Sequence, residues 1–110
     1  MANRPISIKG IDNQGNLILS DNGKTNVDPG DTVTWLIKPK SGVAEITGVV
    51  YGSGVNVFGS GPSRVGNSNN WRGTVDPKIP RGSEEKYDIN FKRNGSNTIE
   101  IHDPKIMVNT

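Results

Sequence analysis

Residues 28–37 read DPGDTVTWLI, a turn followed by an alternating strand. The proline fixes its own φ and the glycine after it allows the chain to reverse, so the four residues before Thr32 favour a tight turn. Beyond the turn, Val33, Trp35 and Ile37 lie on one side of an extended chain and Thr32, Thr34 and Leu36 on the other. This period of two predicts a strand with one face in a core.

A second alternating stretch lies near the C-terminus. Tyr87, Ile89 and Phe91 share one side of residues 86–92, opposite polar neighbours. We expect both strands to be central in their sheets, with Trp35 and Phe91 in the core between them. The other side chains predicted for this core are Ile8, Ile18, Ile46, Ile99, Ile101, Ile106 and Val108.

The composition supports an all-β fold. Eleven isoleucines and ten valines stand against three leucines and two alanines, and β-branched side chains suit a pleated sheet. The 14 glycines and 7 prolines are typical of many tight turns. Over 110 residues we therefore predict a single domain, a two-sheet sandwich of seven to nine short strands. The predicted strands are 6–9, 16–19, 32–37, 44–51, 55–58, 71–75, 86–92, 97–101 and 105–109.

Charge and cysteine content exclude several classes of function. The net charge is only +2, the basic residues are scattered among acids and 5% of residues are aromatic, which argues against nucleic-acid binding. No cysteine is present, so disulfides and thiolate sites are excluded. No stretch is apolar enough for a membrane span or a signal sequence. We expect a soluble cytoplasmic protein, or a secreted one if a signal was removed.

The segment 52–73 differs from the rest of the chain. It is rich in Gly, Ser and Asn and is predicted to be a long loop. Amides and aromatic rings together form the mixture that sugar-binding sites use, because amides pair with hydroxyls and a ring stacks on a sugar. The predicted ligand-binding residues are Tyr51, Asn56, Asn67, Asn69, Asn70, Trp71 and Arg72. The alternative is a flexible loop in which Trp71 anchors the returning strand.

The stretch 27–35, VDPGDTVTW, resembles the glycine-aspartate turn and following central strand of cupredoxins. Residues 87–91 and 106–108 are similar to the last two core strands of that family. The resemblance covers most of the chain and implies a two-sheet Greek-key sandwich that is cupredoxin-like or immunoglobulin-like.

The copper ligands of that family are missing. A blue-copper centre needs two histidines and a cysteine. Residues 42–46, where the first histidine is expected, read GVAEI, and no cysteine follows Phe91. With His102 as the only histidine, we expect no copper and no other cofactor.

A second resemblance involves Trp71–Val75 together with residues 103–109. Both are similar to small bacterial proteins of the inclusion-body type, whose final strand opens with Asp-Pro. This resemblance implies a bacterial source and no particular activity.

Glu100, His102 and Asp103 form the one cluster with metal-ligand character. On a strand, Glu100 and His102 point to the same face about 7 Å apart, where they could hold a divalent ion or supply a general base. The alternative is a solvated strand end in which Asp103 serves the turn before Pro104. The adjacent Glu84 and Glu85 face opposite ways on a strand and cannot act as a carboxylate pair. No metal site is predicted.

The sequence therefore predicts a non-enzymatic binding or assembly module. Its partner would be a carbohydrate or a protein, which includes a second copy of the chain, and the contact would use the 52–73 segment or a sheet edge. The competing hypothesis is a small hydrolytic or metal-dependent enzyme that uses Glu100, His102 and Asp103.

Overall fold

The computed structural model describes residues 2–110, and its regular structure is all β. This confirms the all-β sandwich, but the predicted count of seven to nine strands was wrong, since there are ten. In this part of the chain no helix has the length and hydropathy of a membrane span. The strands are β1 (Asn3–Ile11), β2 (Leu17–Leu19), β3 (Lys24–Val27), β4 (Thr32–Ile37), β5 (Val43–Gly54), β6 (Phe58–Arg64), β7 (Trp71–Val75), β8 (Glu84–Arg93), β9 (Ile99–His102) and β10 (Lys105–Val108).

The strands form two mixed sheets. The first has the order β2-β1-β4-β7-β6, and the second has the order β3-β10-β8-β5 with β9 also paired to β8. β1 pairs with β4 in parallel and β3 with β10 in parallel, whereas the other pairs are antiparallel. β4 and β8 are therefore central, as their alternating patterns predicted.

The core lies between the inner faces of the two sheets. Trp35 and Phe91 are fully buried, as predicted, and so are the predicted core residues Ile8, Ile46, Ile106 and Val108. The Trp35 indole Nε1–H donates a hydrogen bond to the Tyr87 hydroxyl at 3.1 Å, and the two rings meet edge to face. This pair links β4 of the first sheet to β8 of the second.

Three residues predicted for the core are instead exposed: Ile18, Ile99 and Ile101. In β2 the inward positions are taken by the two leucines on either side of Ile18. In β9 the register places Glu100 opposite Phe91 and His102 opposite Ile89, so the polar side chains occupy the inner face. The isoleucines of β9 consequently point out of the sandwich.

The predicted loop over 52–73 is mostly strand, so that prediction was wrong. β5 continues to Gly54, β6 occupies Phe58–Arg64 and β7 begins at Trp71, which leaves 55–57 and 65–70 as connections. The predicted strand 55–58 likewise contributes only Phe58. Strands pair through backbone hydrogen bonds, so a Gly- and Ser-rich stretch can also join a sheet. β6 pairs with β7 in this way, with two register shifts.

The turn between β6 and β7 is fixed to the first half of β5 by three side chains. Arg64 Nη2 and Trp71 Nε1 each donate to the carbonyl oxygen of Ile46 at 3.1 Å, and Asn69 Nδ2 donates to that of Ala44 at 3.5 Å. Since β5 is the last strand of its sheet, these carbonyls have no neighbouring strand on that side. The three side chains therefore occupy backbone acceptors on an open edge.

Candidate functional site

The residues predicted to bind a ligand do not form one site. They separate to the two ends of β6, whose length is roughly 20 Å at 3.3 Å per residue. Before β6 come Tyr51, exposed on β5, and Asn56, whose Oδ1 accepts a hydrogen bond from the Phe58 N–H. After β6, at the turn and the start of β7, come Asn67, Asn69, Asn70, Trp71 and Arg72.

Trp71 is a structural anchor of its hairpin. Its ring packs against the core and is only partly accessible, and its N–H is bonded to Ile46. A sugar-stacking tryptophan presents a free ring face, and this ring is instead engaged with the protein. Arg72 is exposed on β7 and lies beside Thr74 and Ser60 in a shallow hollow.

The three side chains of the proposed catalytic cluster point to different partners. Glu100 is held by Arg93, whose Nε and Nη2 donate to the two carboxylate oxygens at 2.5 and 3.1 Å. His102 shares a face of β9 with Glu100, as predicted, but this is the inner face, and burial lowers the pKa of His102 against the opposing effect of the nearby Asp103, Asp12 and Asp21. Within residues 2–110 no three His, Cys, Asp or Glu side chains are arranged to hold a metal ion.

Asp103 forms a carboxyl pair with Asp88 instead. The hydrogen bond from Asp103, more than burial, raises the pKa of Asp88. They line an open hollow of about 450 Å³ together with Lys86 and Lys105. The sequence carried no signal for this pair, because the two aspartates meet only through the register of β8 with β9.

The outer side of the second sheet carries an exposed apolar surface. Val50 on β5 is 44% exposed, and Ile99 and Ile101 on β9 are 54% and 61% exposed. β8 runs between them and contributes Asn90, which lies opposite both Ile101 and Gly48 in the register. We call this surface, made of Val50, Asp88, Asn90, Lys92, Ile99 and Ile101, the β8 face.

Asn90 is the polar centre of the β8 face. Its side chain rests over Gly48, where an added Cβ would be only 3.5 Å from Nδ2. Its Oδ1 is buried and has no hydrogen-bond partner among the described residues, an arrangement that costs about 1–3 kcal/mol. An external donor could reach this oxygen only after the amide turns about χ2 to bring Oδ1 to the surface.

Charges border the apolar surface at both ends of the strand. Asp88 and Asp103 lie at one end, and Lys92 lies at the other, where its Nζ is 3.8 Å from Glu45 Oε1. Glu45 also accepts from Arg64 at 3.3 Å. A surface that combines exposed apolar side chains on its flanking strands with opposite charges along its central strand is suited to a protein partner.

Comparison with known proteins adds no relative to this description. Neither the models of protein families nor the sequences of curated proteins give a match to the chain.

Proposed function

We propose that this protein is a non-enzymatic binding module that takes a protein partner on the β8 face. The observation that carries the proposal is the set of exposed β-branched side chains on β5 and β9, the two strands that flank the unsatisfied Asn90 amide of β8. Contiguous exposed apolar side chains rimmed by charge mark protein contacts.

A strand edge is a less suitable contact. The first half of β5, the longest edge strand, has its outward carbonyls at Ala44 and Ile46 already bonded to side chains. Its second half contains a register shift between Tyr51 and Ser53, and bulges disfavour further pairing. A carbohydrate contact has less support as well, because Trp71 is engaged and the amides are dispersed.

The competing enzyme hypothesis also has less support. Its proposed base, His102, would need Glu100 or Asp103 free to assist it, and these are paired with Arg93 and Asp88. We expect the His102→Ala variant to keep the binding properties of the native chain.

For the fold family we propose a copper-free cupredoxin-like domain with Greek-key connections, of bacterial source. What supports this is the mixed sandwich with β4 and β8 at its centre, together with the sequence resemblance around Trp35. The chain has one histidine and no cysteine, which is too few for a blue-copper centre.

Site-specific photo-crosslinking in the producing cells tests the binding surface. A photoreactive residue is placed at Ile101 or, as a matched control, at Ile18, which is 45% exposed on the first sheet. We expect a covalent adduct with a polypeptide from position 101 only, and its loss when Val50→Asp is added. Equal adducts from both positions, or none from 101, would exclude the proposed surface.

A further inference from the structure

We infer that the partner on the β8 face is a second copy of this chain, bound about a two-fold axis that passes by Asn90. The inference rests on the proposed function and specifies its partner. It is drawn from the order of the outward side chains along β8 and from the strands that flank them.

The charges along β8 are arranged for an antiparallel self-contact. Counting outward from Asn90, Asp88 lies two residues to one side and Lys92 two residues to the other. A two-fold axis in the interface and perpendicular to the strands reverses β8, so it places each Lys92 over Asp88 of the other copy. Isologous contacts require such self-complementarity.

The opposite orientation is disfavoured by the same residues. A two-fold axis parallel to β8 would keep the strand direction and place Asp88 on Asp88 and Lys92 on Lys92. Like charges in contact cost free energy and suppress that arrangement. The antiparallel orientation instead brings each ammonium to a pair of carboxyls, since Asp103 adjoins Asp88.

The centre of the contact is self-complementary too. Ile101 lies opposite Asn90 in the register and is exposed, so it meets its counterpart in the second copy near the axis, whereas Gly48 on the other side of Asn90 is buried beneath that amide. Asn90 carries both a donor and an acceptor on one planar amide. Rotation about its χ2 lets the two amides donate to one another, which satisfies the acceptor that is unpartnered in the single chain.

The size of the face sets the expected strength. β8 has 10 residues and is roughly 33 Å long, and together with β5 on one side and β9 or β10 on the other it spans about 14 Å. Each copy would therefore bury roughly 450 Å², and the pair about 900 Å², below the 1,200 Å² or so of stable complexes. We expect a reversible dimer with a dissociation constant in the micromolar range or weaker.

Analytical ultracentrifugation of a charge-swap series tests the dimer. Native protein from 10 µM to 1 mM is compared with Lys92→Asp, Asp88→Lys and the double variant. Each single substitution is expected to weaken dimerisation at least 10-fold, because like charges then meet across the axis. The double variant restores opposite charges and is expected to return to within about 3-fold of the native constant.

Controls separate the contact from folding and from general charge effects. Lys9→Asp makes the same charge change at an exposed position of β1 in the other sheet and should leave the dimer unchanged. Thermal midpoints verify that each variant folds. Glu45 retains Arg64 when Lys92 is replaced, so the Lys92→Asp variant is expected to remain folded.

Each outcome decides between the two proposals. A native chain that stays monomeric at 1 mM, or a double variant that does not recover, overturns the two-fold dimer. If the Ile101 crosslink then captures a different polypeptide, the β8 face remains a binding surface. A dimer that persists unchanged in Ile101→Asp would place the self-contact elsewhere and overturn the two-fold dimer on the β8 face.

Discussion

Glu85 and Val57 are joined inside the sandwich, where Oε1 of the Glu85 carboxyl accepts a hydrogen bond from the Val57 backbone N–H at 2.8 Å. Burial raises the pKa of Glu85, against the lowering effect of this hydrogen bond. The folded chain therefore holds the proton more tightly than the unfolded chain, whose value is near 4.5. The resulting stability is complete below pH 4.5 and is lost as the pH rises through the folded pKa.

Replacing Glu85 by Gln should remove the loss of stability that the native chain shows as the pH rises. Glutamine keeps an acceptor for the Val57 N–H and carries no charge, so the unfolding free energy of Glu85→Gln should rise relative to the native chain between pH 4.5 and 8. Glu85→Ala leaves the N–H unpaired and should cost about 1–3 kcal/mol. Urea unfolding across this range measures both, with Glu84→Gln as the neighbouring half-exposed control. Parallel pH curves for native and Gln forms would contradict the assignment.

Asp31 should have the opposite pH dependence. Burial acts to raise its pKa, but hydrogen bonds from the backbone N–H groups of Ala2 and Asp28, and from Arg4 Nε, outweigh burial and lower it. Stability from Asp31 is present above its ordinary value of 3.8 and is lost as the pH falls through the folded pKa. Asp31→Ala should cost about 3 kcal/mol at pH 7 and raise the midpoint of acid unfolding. An unchanged acid midpoint would show that these contacts contribute little.

Gly54 and Gly23 should respond differently to alanine. Their φ angles are nearly equal, 86° and 85°, so the backbone cost of about 1 kcal/mol is shared. A Cβ at Gly54 would lie 2.5 Å from the Glu84 carbonyl oxygen, whereas nothing lies within 4 Å at Gly23. We expect Gly54→Ala to lose at least about 1 kcal/mol more than Gly23→Ala in chemical unfolding. Equal losses would mean that β5 can move away from β8 there.

We expect Trp71 to contribute to the stability of the fold, through its contacts with the core and with Ile46, and not to ligand binding. Trp71→Phe keeps an aromatic ring against the core and loses the donor to Ile46, which should cost about 1 kcal/mol. Trp71→Ala should cost about 2–3 kcal/mol, less than for a fully buried ring. Differential scanning calorimetry measures both. A Trp71→Ala variant with native thermal stability would contradict the anchoring role and return the residue to the list of ligand contacts.

Period-two alternation predicted the two central strands, β4 and β8, because in each of them only one face is apolar enough to lie in a core. In β4 and β8 the large apolar side chains fall on a single face, so Trp35 and Phe91 could be placed in the core from the pattern alone. β9 alternates as regularly, but its inner face carries Glu100 and His102. The register with β8 and the ion pair to Arg93 reverse the orientation that hydrophobicity predicts.

The candidate site could not be predicted for the same reason, because the register between neighbouring strands is not visible in the sequence. Ile99 and Ile101 were predicted as core residues, and the carboxyl pair of Asp88 and Asp103 is created by the register between the consecutive strands β8 and β9. β3 and β6 escaped prediction because their side chains are polar or small, although their backbones complete the ladders. Local sequence indicates which residues alternate, but not which strand lies beside them.

The hydrogen bonds that Arg64, Asn69 and Trp71 donate to β5 affect how this chain behaves at high protein concentration. An open strand whose outward carbonyls are free is a template on which further chains add one after another into fibrils. Here the hairpin of a different sheet occupies two of those acceptor positions, and it can release them only by detaching Trp71 from the core. Stacking of many copies along β5 is thus coupled to partial unfolding, whereas a closed pair formed through a sheet surface requires no such rupture.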